Sequence, residues 1–264
     1  MSSTTTEASG TTAFATGVQY GFFFDQSRCV SCSSCMTVCK SWNMLAPGPV
    51  RWLRLFEYEK GAFPDVRTHM QWVPCYHCMN PVCIGASNGA MFKEPKYGAV
   101  LIDPSQANSP NLRDAWAACP YGAIAFDSDS PTATASKCTM CIDRLEAGDK
   151  PACVMACPQR ALDFDTMDNL RSKYGTNQQL EDLPDPTVAN PAAVFKPMDA
   201  TKQIVSYDAS QALALLGTRG SLPPIYTDPS QVTTLSPGQV SRSALNLKPT
   251  SVEEGMAATT NDGA

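Results

Sequence analysis

Twelve cysteines gathered in four groups constrain this 264-residue chain more than any other feature. Group one is Cys29-x2-Cys32-x2-Cys35-x3-Cys39 and group two is Cys75-x2-Cys78-x4-Cys83. Group three is Cys119 ahead of Pro120, and group four is Cys138-x2-Cys141-x11-Cys153-x3-Cys157 ahead of Pro158. Thiols so placed have three uses: disulfides, zinc or iron–sulfur clusters. Disulfide frameworks belong to short exported chains, and a C-x-x-C pair bridges poorly in rigid structure. Zinc closes a tetrahedron and has no use for three cysteines on one tight loop with a fourth directed elsewhere. Group one is instead the bacterial ferredoxin run, in which three thiolates cap one cubane and the fourth reaches across to another.

Group four mirrors group one, with an insertion that carries the third thiolate back to the loop. The crossover rule gives Cys29, Cys32, Cys35 and Cys157 to one [4Fe–4S] cluster and Cys138, Cys141, Cys153 and Cys39 to a second. Applied to groups two and three, it gives Cys75, Cys78, Cys83 and Cys119 to a third. A fourth cluster would need cysteines where Ser87, Ser109, Leu112 and Ala115 stand. Random loss would leave orphan thiols, whereas here every cysteine is used and one whole site is absent. Three [4Fe–4S] clusters are therefore expected, with no iron on the Ser87 oxygen.

Around the cysteines, VQYGFFFD (Val18–Asp25) is predicted as a strand delivering group one. Further strands are predicted at Met70–Val73, at Met91–Glu94 paired with Ala99–Ile102, at Ile124–Asp127 and at Leu162–Asp165. Helices are predicted at Cys35–Asn43, Ser105–Ala118, Met140–Ala147 and Met167–Tyr174, the last closed by Gly175, with another short one at Asp208–Leu216. An internal repeat shows through: CPYGAI at Cys119 matches CPQRAL at Cys157, and SNGAM at Ser87 is a weaker copy without cysteine. Strand, cluster loop, helix, strand is the bacterial ferredoxin unit. The expected class is therefore α+β, with tandem, nested ferredoxin-like units and a long extended C-terminal arm. Residues 18–66 with 120–180 form the first unit and 67–119 the inserted second one. A disordered lead-in (1–17) precedes them, and a Pro-rich arm and tail (181–264), partner-contacting or disordered, follows.

The formal charge of −5 and a pI near 5.0 leave no cationic field for phosphate backbones, which excludes nucleic acid as a partner. No apolar run approaches a bilayer span, and the Ser/Thr-rich start lacks the features of a signal peptide. His77, inside the Cys75–Cys78 pair, is read as an exposed ring or one packed behind the ligands, and His69 as structural. Arg28, Lys40 and Lys137 flank cluster cysteines, where positive charge raises a cluster's potential if it is not simply solvated. Trp42, Trp52, Trp72 and Trp116 are read as packing anchors. No nucleophile triad, phosphate loop or carboxylate pair stands out, so no substrate chemistry is expected on this chain.

The residues resemble the iron–sulfur subunits of dimethyl-sulfoxide-reductase-type molybdopterin oxidoreductases. The resemblance runs from about Gln19 to Pro197. It is carried by GFFFDQSRCVSCSSCMTVCK, by CYHCMNPVC, by ACPYGAIAFD, and by KCTMCIDRL through ACPQRALDFD to Met167–Tyr174. The missing fourth site and SNGAMFKEPKYGAVLIDP look most like the three-cluster small subunit of pyrogallol–phloroglucinol transhydroxylase, although residues 198–264 lack the alternation of that subunit's terminal β-sandwich. The resemblance implies an electron-transfer subunit serving a large catalytic subunit that holds molybdopterin with molybdenum or tungsten. It implies a soluble complex fed by a diffusible donor or cycling electrons internally. The compartment is the cytoplasm, or the chain is exported folded with a twin-arginine-signalled partner. It also implies a line of clusters, with the pair from groups one and four nearest the catalytic subunit and the missing site outermost. The rivals are a membrane-anchored respiratory enzyme of the same family, a free-standing polyferredoxin and a zinc-stabilised interaction module.

Overall fold

Short strands feed each cysteine group in the computed structural model, which describes residues 17–61, 66–198, 214 and 247–257. Strand β1 (Tyr20–Asp25) runs into group one and helix α1 (Ser34–Trp42) leaves it. Strands β2 (Leu53–Lys60) and β3 (Arg67–Pro74) lead to group two, followed by α2 (Val82–Ala86). Next come β4 (Met91–Lys93), β5 (Val100–Ile102) and α3 (Asn111–Ala118), which stops at Cys119. Strands β6 (Ala125–Phe126) and β7 (Ala135–Ser136) precede group four, which contains α4 (Ile142–Glu146) and α5 (Ala152–Met155). The rest is β8 (Leu162–Thr166), α6 (Met167–Tyr174), β9 (Ala193–Lys196) and α7 (Val252–Ala257). The result is a mixed α/β body with small sheets. No helix among the described residues is long and apolar enough to cross a membrane.

The three-stranded sheet is ordered β8-β1-β9. Strand β1 pairs antiparallel with β8 (Tyr20 opposite Thr166, Phe24 opposite Leu162) and parallel with β9 (Phe22 opposite Ala193, Phe24 opposite Phe195). Its residues are buried throughout because both faces of the sheet are covered. Phe22 and Phe24 face the main core beside Trp72, while Phe23 stacks at 3.6 Å on Tyr174 of α6 among Met167, Leu170 and Val194. Such a ring pair contributes about 0.5–1.5 kcal/mol beyond its buried area. Gly21 is required here, since a Cβ would run into the Ala192 carbonyl and the Met167 sulfur.

The sequence pattern and the structure part company in several places. Ser105–Ala118 is not one helix: a 3-10 turn at Pro104–Gln106 ends before α3, because Pro110 has no N–H to continue a ladder and Asn108 bonds outward to Thr132 and Thr134. Helix α4 starts at Ile142 rather than Met140, since Met140 and Cys141 are both left-handed. Strand β6 is two residues long and pairs with β7, which the pattern did not reveal. The long β2–β3 hairpin, with Leu53 opposite Pro74 and Lys60 opposite Arg67, joins the stretches on either side of residue 66. Residues 181–196, expected as arm, fold onto the body: β9 closes the main sheet, and Leu183, Ala189 and Phe195 are buried in the main core. The helix expected at Asp208–Leu216 lies outside the described residues apart from Ala214, as does the lead-in apart from Gly17.

Candidate metal centres

The same loop geometry recurs in three cysteine groups. The residue just before the second cysteine is left-handed each time: Ser31 (φ 52°), His77 (φ 47°) and Met140 (φ 61°). That conformation costs a residue with a Cβ about 1–2 kcal/mol, and here it turns backbone N–H groups toward sulfur. His77 N lies 3.4 Å from Cys75 Sγ, Met140 N 3.4 Å from Cys138 Sγ, and the Ser31 N–H bonds Cys29. The repeated Cys-Pro turns match as well. Gly122 (φ 56°) and Arg160 (φ 51°) are both left-handed three residues after their cysteine. One residue further on, Ala161 N donates to Cys157 Sγ at 3.3 Å, and the Ala123 N–H bonds Cys119.

The cysteines meet across the sequence. One cavity is lined by Cys29, Cys32, Cys35 and Cys157 together with Phe24, Leu55 and Trp72. A second is lined by Cys39, Cys138, Cys141 and Cys153 with Phe22, Trp52 and Met140. Cys75, Cys83 and Cys119 all lie close enough to Cys78 for their charges to oppose its ionisation. Cys35 acts in the same way on Cys153, and Cys75 on Cys138, so the second gathering sits between the other two. All twelve cysteines are free thiols.

Burial dominates their acidity. It pushes Cys35, Cys39 and Cys83 up to about 12 and raises Cys78, Cys138 and Cys153 further. Only Cys32, exposed and bonded to Ser34, moves down. Four thiolates around one dry cavity need a positive centre between them, and soft sulfur donors suit iron–sulfur clusters. Among the described residues, no three His, Cys, Asp or Glu side chains converge as a single-ion site. Trp72 fits the same picture: it lines the first cavity, and its buried indole N–H has no acceptor among the described residues.

Basic side chains surround groups two to four. Lys137, buried, donates from Nζ to the Val100 carbonyl and to Cys138 O at 2.9 Å. Lys93 Nζ lies 3.0 Å from Cys78 O. Arg54 donates to the carbonyls of Leu247 and Tyr121 beside Cys119, and burial lowers it to about 10. Arg28, in contrast, is exposed, and Lys40 is tied to Gly48 O and Val50 O, 3.1 Å from each. Sequence spacing had pointed to Lys137 but not to Lys93 or Arg54, which lie far along the chain from the sulfurs they flank. His77 is not exposed but packed behind the ligands: it is wholly buried, and burial together with Lys137 and Lys93 holds its pKa well below the usual range.

Two of the positions at which a fourth set of cysteines is missing from the sequence lie in an apolar cluster. Leu112 and Ala115 are fully buried, with Ala90, Met91, Val100, Ile124 and Ala135 around them. Ser87 keeps the bond pattern of the Cys-Pro turns, accepting the Met91 N–H at 3.1 Å four residues on, and its hydroxyl donates to Ile84 O at 2.8 Å. A separate cavity of about 370 Å³ lies between Arg51, Arg113, Trp116, Pro249 and Val252 and has no cysteine in its wall.

The chain is also similar to known proteins. Residues 66–167 match a family model described as a 4Fe-4S dicluster domain. The B subunit of anaerobic dimethyl sulfoxide reductase from Haemophilus influenzae is 35% identical over 189 residues, covering 68% of this chain and 89% of that one. Its Escherichia coli counterpart is 37% identical over 188 residues, with the same coverage of both proteins. Protein NrfC of Escherichia coli is 35% identical over 159 residues, covering 60% of this chain and 70% of its own.

Proposed function

The chain belongs to the iron–sulfur subunits of the dimethyl sulfoxide reductase family, and we propose that it relays electrons through three [4Fe–4S] clusters to or from a large molybdopterin-bearing subunit. As an electron-transfer subunit it has a non-catalytic role within an enzyme complex. Cys29, Cys32, Cys35 and Cys157 hold one cluster, Cys138, Cys141, Cys153 and Cys39 the next, and Cys75, Cys78, Cys83 and Cys119 the last. When bound, each cluster would supply one-electron redox chemistry. The protein supplies the thiolates, the N–H donors and the dry walls that set its potential.

The observation that carries this reading is the lining of the two cavities, each by three cysteines of one group and the distant fourth cysteine of another. It is the pattern of nested ferredoxin-like units exchanging ligands. The first cavity is the end of the line nearest the partner, as its rim suggests: Cys32 is exposed, and Val30 and Met155, neighbours of its ligands, are exposed apolar side chains. At the other end, apolar packing around Leu112 stands where the family pattern would continue, so the relay stops at the cluster on groups two and three. A relay that ends there supports a soluble complex of the transhydroxylase-like kind, fed by a diffusible donor or cycling electrons internally.

Metal analysis of anaerobically purified protein tests the cluster count. The expected result is about twelve irons per chain, with visible absorption that bleaches on reduction. About sixteen irons, or stoichiometric zinc, would overturn it. Isolation of the native complex with an integral quinone-binding subunit, its clusters reduced directly by quinol, would replace the soluble reading with the membrane-anchored one.

A further inference from the structure

His77 belongs to the group-two loop, yet its ring reaches out of it. The side chain is fully buried, and four contacts fix it. Its backbone N–H points at Cys75 Sγ (3.4 Å), and its carbonyl accepts from Gln19 Nε2 (3.3 Å). The Phe22 ring lies 6.4 Å away, and ring Nδ1 accepts the Val100 N–H at 2.9 Å. That last bond settles the tautomer: with the Nδ1 lone pair occupied, the neutral ring carries its proton on Nε2. Nε2 is 3.5 Å from Cys138 Sγ, within reach of an N–H···S bond, and a protonated nitrogen cannot ligate iron. Val100 also fixes the far side of the same cysteine, since its carbonyl accepts from Lys137, whose Nζ bonds Cys138 O.

We propose that His77 is a positioning residue that donates a hydrogen bond from Nε2 to the Cys138 sulfur, so that the loop of one cluster tunes its neighbour. The inference rests on the ligand assignment proposed above. A donor on a ligand sulfur stabilises the more negative, reduced cluster and raises its potential. His77 is also bonded covalently to Cys78, so one residue joins the ligand sets of two adjacent centres.

Two substitutions separate this role from a structural one. In His77→Asn the amide oxygen takes the place of Nδ1 and keeps the Val100 bond, but nothing reaches Cys138; Asn also tolerates the left-handed backbone. In His77→Gln the terminal amide takes the place of Nε2 and keeps the donor, leaving the Val100 N–H unpaired. The full chain, reconstituted anaerobically with iron and sulfide, is titrated with EPR detection. Asn is expected to lower the potential of the Cys138 cluster by a tenfold shift in its reduction equilibrium, about 59 mV for one electron, while Gln leaves it near wild type. Equal shifts in both variants, or none in either, would overturn the proposal. The chain has two histidines, and His69 stacks on Tyr58 in the β2–β3 hairpin. Histidine labelled with ¹⁵N in the imidazole ring only, so that the backbone N–H facing Cys75 Sγ stays silent, should therefore give one nitrogen coupling to the reduced Cys138 cluster in the wild type, lost in His77→Asn. Its absence from a fully loaded wild type overturns the proposal even if a variant fails to assemble. Iron content guards the premise: a wild type that binds no cubanes refutes the cluster reading, whereas loaded clusters with unmoved potentials refute only the role of His77.

Discussion

The turns after Cys157 and Ser87 share a bonding pattern and differ in what surrounds them. At Cys157 the N–H four residues on points at a sulfur that faces a cavity; at Ser87 the corresponding N–H points at a hydroxyl whose own proton goes to Ile84 O. Around Cys157 stand further thiols, while beyond Ser87 stand Leu112, Ala115 and Met91. The contrast teaches that one N–H bond pattern serves two surroundings, one lined by thiols and one by hydrocarbon, although the left-handed residues stand at different positions in the two turns. Full burial of a leucine contributes about 1.5–3 kcal/mol with no ion present. A ring of buried thiols gains its stability only when a positive centre enters, because metal binding and folding are linked. On the proposed ligand assignment, the first region is expected to depend on iron and the second is not.

The most damaging way to probe that contrast is to remove a crossing ligand. Cys157→Ser should strip the cluster of Cys29, Cys32 and Cys35, and Cys39→Ser that of Cys138, Cys141 and Cys153. Iron would fall from about twelve to about eight per chain in each case, with different EPR signals lost. Loss confined to each residue's own sequence group would break the comparison, because the gatherings would then be local. Leu112→Ala should cost about 2–5 kcal/mol in urea unfolding of the loaded protein while leaving iron content unchanged. Lost iron there would mean that the apolar region supports the clusters after all.

The smallest effect calibrates the scale away from both regions. Asp163 holds Lys150 (2.6 Å), Lys173 (2.9 Å) and the Tyr174 hydroxyl (2.7 Å). Burial works against its ionisation, but these bonds outweigh it and hold the carboxyl well below its usual range. A depressed carboxylate contributes stability above its unfolded pKa, near 3.9, that is lost as pH falls through its folded value. Asp163→Asn should therefore cost about 1 kcal/mol at neutral pH, after allowance for solvent screening, and the gap should close below about pH 4. A difference that stays unchanged in acid would show that the bonds and not the charge matter.

What could be read in advance follows from where each constraint is written. The ferredoxin run, the Cys-Pro repeat, the β4–β5 hairpin and α6 are specified by adjacent residues, Thr166 and Gly175 bounding the last. Strand β2 escaped notice because its burial does not alternate: Leu53 and Leu55 share a face with exposed Glu57 and Glu59, while Phe56 and Tyr58 are buried on the other. Strand β9 was hidden by the prolines around it, its four residues finding their place only against β1. The ring of His77 could be located between two cysteines but not buried by any local rule, since Val100 and Cys138 meet it only in three dimensions. Arg54 shows the same limit, standing between Leu53 and Leu55 as if for solvent and yet capping carbonyls as distant as Leu247.

The sheet order has a consequence for how the molecule is made. Strand β1 leaves the ribosome first, while β8 and β9, which cover its two edges, come last. About 170 residues separate Asp25 from Lys196, or about ten to thirty seconds of synthesis. Until β8 is complete, about 140 residues after Asp25, an apolar strand with three successive phenylalanines has neither edge paired, and one edge waits for β9, which is the condition in which nascent chains stick to one another. The cavity that takes Cys157 is likewise incomplete until that late residue emerges. That cavity can therefore be filled only once Cys157 has emerged, later than the gathering around Cys78, whose last cysteine is Cys119.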